Sequence, residues 1–290
     1  MNIVFKPIAH SWVAENPNPI GVVQFIGGAL YGTLPTISYR HFLQSLFEEG
    51  YTIIAVPFQF GLNHGVIARG LLDERDRIRQ ALDYPEALPH FWIGHSLGCK
   101  YIALLEAYSA EAIKKGGKNI INEPSLLVAP DISDTKDAIP IPGLPYLLDY
   151  FSLGVRPTKK ETQDIIRNSG LFNLTALISF RDDDIAGNAT ESPDESDVAW
   201  FIHELEYQRG KSLLRKEIPG GHREPIGMRV GDSLVDLNPW DGIFEPMGKR
   251  HLEGVAIQFL AELVERRGTF ASEKLQEIPN GGNNSTLFSS

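Results

Sequence analysis

Apolar residues fall in short runs that alternate with longer amphipathic stretches along most of the chain. Residues 20–27, Ile-Gly-Val-Val-Gln-Phe-Ile-Gly, form an apolar run closed by glycine and predict a buried strand. Over 36–50, Tyr39, Phe42, Leu43, Leu46 and Phe47 recur at helical spacing, and Gly50 fits a helix C-terminus. Further strands are predicted at 51–57, 90–94, 125–130, within 171–180 and at 211–218. Helices are predicted at 65–83, which carries the charged run DERDRIRQ, and at 100–110. A closing amphipathic helix is predicted at 252–267, with Val255, Phe259, Leu260 and Leu263 on one face. Strands that alternate with helices imply βαβ units. Apolar strands without strict alternation imply a sheet covered on both faces. The class expected is therefore α/β, a mostly parallel central sheet with helices on both faces.

One region breaks the rhythm. Residues 132–170 lie between the fourth and fifth predicted strands, and 139–155 holds ten apolar or aromatic residues with one charge, Asp149. Three prolines there disfavour one long helix. A small apolar cap over one end of the sheet, or a packing insertion on its edge, is expected. The expected organisation is one domain over 1–279 with this insertion at about 132–170. A Gly-, Asn- and Ser-rich tail at 280–290 is expected to be disordered.

Composition narrows the chemistry. The chain has 290 residues and a formal charge of −10, which argues against a general nucleic-acid binder. A single cysteine, Cys99, allows neither an internal disulfide nor a multi-thiolate metal site. The start, MNIVFKPIAHSW, lacks the apolar run of a signal peptide, and no stretch approaches the roughly 20 apolar residues of a membrane span. A cytoplasmic protein without an integral membrane segment is expected. Three Asn-x-Ser/Thr sequons are read as chance matches.

The sharpest local signal is Gly94-His95-Ser96-Leu97-Gly98, a G-x-S-x-G between a predicted strand and a predicted helix. The turn must be tight, so glycines flank a serine that projects above the strand end. The alternative is an ordinary glycine-rich turn with an exposed serine. The N–H of Leu97 then points toward a developing oxyanion. A serine nucleophile needs a general base, and the base an orienting acid. Of eight histidines, His222 lies in a glycine-rich turn just past the last strand; His251 is the weaker candidate, and His95 is expected to pack beside the strand. Asp182, Asp183 and Asp184 follow the fifth strand. Asp183 is preferred because Ile185 gives it an apolar anchor, Asp184 is second and Asp182 third. Asp131, after the fourth strand, is another candidate. A second oxyanion donor is expected from Gly27-Gly28-Ala29, as the N–H of Gly28 or, failing that, of Ala29.

With Ser96, Asp183 and His222 in that order, the chain over about 20–267 resembles the α/β-hydrolase fold superfamily. The insertion falls where many members carry a lid. FIGGALYG, P-T-x-x-Y-R at 35–40, P-T-x-x-E-T at 157–162 and FRDDDI resemble, more narrowly, a branch common in cyanobacteria and plastids, which brings no substrate with it. Two departures stand out: Ile26-Gly27 replaces the familiar His-Gly, and Phe180 replaces the usual glycine before the acid loop.

The resemblance implies a serine hydrolase acting on a small-molecule ester or thioester, with no cofactor and no metal. The apolar 139–155 stretch suggests a lipophilic acyl or alcohol part and leaves peripheral membrane contact open. Acyl transfer and a catalytically silent binding or scaffold protein are the alternatives. A nucleotide-binding α/β protein is disfavoured, since G-x-G-x-x-G and G-x-x-x-x-G-K-[ST] are both missing.

Overall fold

A computed structural model describes residues 3–59, 61–85, 87–132, 155–169, 172, 174–209, 213–230, 233–235, 244–246 and 250–276. The tail at 280–290 and residues 133–154 of the expected cap lie outside the described residues.

Among the described residues the main sheet has eight strands. They are β1 (Lys6–Ile8), β2 (Ser11–Ala14), β3 (Gly21–Ile26), β4 (Tyr51–Val56), β5 (His90–His95), β6 (Ser125–Val128), β7 (Thr175–Phe180) and β8 (Leu214–Ile218). Their spatial order is β1-β2-β4-β3-β5-β6-β7-β8. From β4 through β8 every pairing is parallel, while the β1–β2 hairpin joins β4 antiparallel. β3 to β7 are buried along their whole length, as their unalternating apolar sequences require. A separate antiparallel sheet comprises β9 (Met228–Val230), β10 (Ser233–Val235) and β11 (Phe244–Pro246).

The helices are α1 (Pro35–Ser38), α2 (Arg40–Glu49), α3 (His64–Leu82), α4 (Gly98–Lys114), α5 (Lys159–Arg167), α6 (Asp197–Arg209) and α7 (Leu252–Gln276). α2 buries Phe42, Leu43, Leu46 and Phe47 and ends on Gly50, whose φ of 114° only glycine adopts freely. α5 opens on a capping box: the Thr158 hydroxyl accepts from the Glu161 N–H, and the Glu161 carboxylate accepts from the Thr158 N–H. α2 and α7 pack on the sheet, as does α4, which also carries α3 and α5 against it. Among the described residues no helix is long and apolar enough to cross a membrane.

The predicted helix over 36–50 is broken in two at Tyr39, which the sequence places on its apolar face. The break has a use: the Ser38 carbonyl accepts from the Gly227 N–H, and the His41 N–H donates to the Gly227 carbonyl. Strand order fixes where chemistry can occur. The chain leaves β3 for β4 on one side and returns to β5 on the other. Between β3 and β5 the connections diverge at the carboxyl ends, which opens the crevice that open α/β sheets use for ligands.

The core also holds three neutral histidines. Burial, reinforced by Lys100, pushes His64 down to about 3. Burial likewise lowers His90 to about 4, and burial with the neighbouring His222 lowers His95 to about 3. The unfolded chain takes up protons near 6.5 that the native chain refuses. Native stability is therefore complete above about pH 6.5 and falls as pH drops toward 4, by roughly 1.4 kcal/mol per pH unit for each such proton. Urea melts across that window are expected to show this decline. A flat profile would contradict it.

Candidate active site

Ser96 sits where β5 turns into α4. Its φ is 55°, in the left-handed region that a serine occupies only when the surroundings force it. The forcing is steric. A Cβ on Gly94 would stand 2.8 Å from the Cys99 nitrogen, and one on Gly98 would stand 2.2 Å from the Ile26 carbonyl oxygen. So α4 starts directly against the end of β3, and both glycines are required. The Ser96 N–H donates to the Val128 carbonyl at 3.0 Å, and the Ser96 carbonyl accepts from the Cys99 N–H at 2.9 Å. The Ser96 backbone is thereby satisfied while its side chain is left to project.

Asp183 and His222 reach Ser96 because β7 and β8 extend into two laced loops. Phe180 and Ile218 end the parallel ladder as partners. Beyond it, the Arg181 N–H donates to the Ile218 carbonyl and the Asp182 N–H to the Gly220 carbonyl, each at 3.0 Å. Asp183 then turns inward and is 3% exposed, whereas Asp182 and Asp184 face solvent. Its Oδ1 accepts from the N–H groups of Ile185 (2.9 Å) and Ala186 (2.8 Å), which fixes the carboxylate. The Ile185 anchor expected from sequence thus acts through its backbone.

The His222 Nδ1 lies 3.0 Å from both Asp183 oxygens, and its Nε2 lies 2.8 Å from Ser96 Oγ. An ionised carboxylate can only accept, so Nδ1 carries the proton. Nε2 is then the acceptor, and the Ser96 hydroxyl donates to it. Asp131, also buried, places its N–H 3.3 Å from the Ser96 carbonyl; the carboxylate bonded to His222 is that of Asp183. His251 is exposed at the start of α7.

The oxyanion loop requires a correction. The Gly28 N–H donates to Tyr39 Oη at 3.0 Å, so that donor is already engaged. The backbone of Gly28 is nevertheless close: a Cβ there would stand 3.1 Å from Ser96 Cβ. The next N–H along the loop is that of Ala29, the other donor expected from sequence. Leu97 precedes α4 as its N-cap, beside Ser96.

Sequence reasoning missed Tyr39 as part of this region. Its hydroxyl is 2.9 Å from His95 Nδ1, and His95 Nε2 is 2.8 Å from the His222 carbonyl. The helical spacing of Tyr39 reports burial and carries no information about its hydroxyl. Cys99 is fully buried with its thiol on the Val128 carbonyl, and burial holds its pKa well above the ordinary range. Among the described residues no group of three or more His, Cys, Asp and Glu side chains could hold a metal ion.

Sheet order, elbow and helices together define an α/β-hydrolase fold, and solved structures agree. Esterase B from Lactobacillus rhamnosis, in a structure described with a tributyrin phosphonate, is 10% identical, with a TM-score of 0.54 over 95% of this chain and 90% of its own. An esterase from Pyrococcus furiosus is 14% identical, with a TM-score of 0.53 over 76% and 83% of the two chains. Residues 4–244 match the family described as "Protein of unknown function (DUF1350)", and the chain belongs to it. No curated protein matches the sequence.

Proposed function

We propose that this protein is a serine hydrolase that cleaves a carboxylic ester or thioester through an acyl-enzyme. The observation that carries the reading is the unbroken chain from Asp183 through His222 to Ser96 Oγ. Ser96 Oγ attacks the carbonyl carbon as His222 Nε2 takes its proton. Asp183 holds the ring and stabilises the imidazolium. N–H groups of Leu97 and Ala29 receive the oxyanion, each contributing on the order of 3 kcal/mol to the transition state. The intermediate collapses, His222 protonates the leaving alcohol or thiol, and the acyl group stays on Ser96. Water then attacks the acyl carbon and gives a proton to His222; the second intermediate collapses to the acid and expels Ser96 Oγ, which takes that proton back. The apolar sequence of 139–155 favours a lipophilic acyl or alcohol part. An alcohol in place of water would make the same site an acyltransferase.

The test is covalent labelling. A fluorophosphonate probe is expected to modify the protein on Ser96, as read by peptide mass spectrometry, with no labelling of Ser96→Ala. Labelled wild type then justifies a chain-length series of esters and thioesters. Folded wild type that resists the probe, with detergent present as well, would replace the hydrolase reading by a silent binding protein.

A further inference from the structure

We propose that Tyr39 and His95 are positioning residues that fasten the oxyanion loop and the backbone of His222 to the nucleophile's own strand. The proposal rests on the hydrolase reading and adds two side chains that touch no substrate in the scheme above.

The polarity of the chain follows from its ends. His95 Nε2 faces a carbonyl oxygen, that of His222, so it must donate. A neutral ring then presents Nδ1 as an acceptor, which the Tyr39 hydroxyl fills as donor at 2.9 Å. The Tyr39 oxygen accepts in turn from the Gly28 N–H at 3.0 Å. Every donor meets one acceptor in a single direction, from Gly28 through Tyr39 and His95 to His222.

The residues are placed to keep that direction. Tyr39 is fully buried and His95 is 2% exposed. The Tyr39 ring packs edge-on against Phe25 at 4.7 Å between centroids and against His95 at 5.5 Å. Burial pushes the phenol upward, so it remains a donor. The His95 ring faces His222 and Asp183; burial first, then the His222 charge, hold it down to about 3. It therefore stays neutral when His222 becomes an imidazolium. On either side of Tyr39, the Ser38 carbonyl and the His41 N–H clip Gly227, five residues past His222. One helix break thus grips the histidine loop from its far side and the oxyanion loop from below.

The consequence is geometric. The Gly28 N–H is held by Tyr39 and the Gly28 carbonyl by the Gly32 N–H at 2.8 Å, so the peptides on both sides of Gly28 are fixed beside Ser96. The His222 ring cannot drift while its carbonyl is anchored. Misplacement of such groups by about 1 Å lowers a rate constant strongly without weakening ground-state binding.

Tyr39→Phe removes one hydroxyl and keeps the ring in its packing. Three readouts are needed: kcat and KM on a p-nitrophenyl ester, the downfield Nδ1–H resonance of His222, and thermal melting to establish folding. The expected result is a kcat at least about tenfold lower, KM unchanged within about twofold, and a broadened or lost His222 resonance in a folded variant. His95→Gln retains an amide donor toward the His222 carbonyl and is expected to keep that resonance. A Tyr39→Phe protein with wild-type kcat and an unchanged resonance would overturn the proposal. Should the wild type turn over no ester and resist the fluorophosphonate, the resonance alone decides. Its loss in folded Tyr39→Phe upholds the positioning roles while the hydrolase reading falls, and its persistence overturns them.

Discussion

Asp183→Asn is expected to slow fluorophosphonate labelling of Ser96 by about 10³–10⁴-fold, while Asp182→Asn and Asp184→Asn stay within about threefold of wild type. The contrast follows from three adjacent aspartates in unlike surroundings. Asp183 is buried, receives two backbone N–H groups, and bonds His222 Nδ1 through both oxygens. Its neighbours point to solvent. An asparagine at 183 presents an amide whose NH₂ cannot accept. If its oxygen stays on the Ile185 and Ala186 N–H groups, the NH₂ faces His222 and favours the tautomer protonated on Nε2. That tautomer cannot take the Ser96 proton. The labelling rate requires no known substrate, so the comparison is available before any ester is identified. Equal losses at 182 or 184, or an Asp183→Asn protein retaining a tenth of the wild-type rate, would reject Asp183 as the orienting acid.

The fold was legible where the sequence carried unbroken apolar runs. β3, β4 and β5 are such runs, and their burial on both faces explains why they do not alternate. The β1–β2 hairpin was not legible: β1 has three residues, largely exposed, at the sheet edge, too few to show a period. α6 was also missed. Val198, Ala199, Trp200, Phe201, Ile202 and Leu205 are all buried, so apolar residues surround the helix and leave no stripe. α5 could have been found, because Thr158-x-x-Glu161 is a capping box readable from sequence. At the site, chain order singled out Ser96, Asp183 and His222 from many serines, acids and histidines as candidates, and the structure brings these three together. Order could not tell Gly28 from Ala29. The Gly28 N–H is engaged by a hydroxyl 11 residues away, on Tyr39, a contact no local pattern encodes.

Gly98→Ala is expected to destabilise the protein by about 3 kcal/mol or more, lowering the melting temperature by roughly 6–12 °C for a chain of this size. The added methyl would lie 2.2 Å from the Ile26 carbonyl oxygen and 2.8 Å from that of Gly27. Both contacts are backbone, so no side chain can move aside. Relief requires α4 to retreat from β3, which carries Ser96 away from the oxyanion loop. Stability and labelling should therefore fall together. Gly70 in α3 supplies the opposite sign. Nothing lies within 4 Å of a Cβ built there, the residue is exposed, and its φ falls outside the left-handed region. Gly70→Ala only removes backbone freedom from the unfolded chain and is expected to stabilise by about 0.5–1 kcal/mol. The same substitution thus tests two different causes, a backbone collision and an entropy difference. Differential scanning calorimetry of the pair measures both. A Gly98→Ala protein melting with wild type would mean that β3 and α4 are not in the contact on which the Ser96 turn depends.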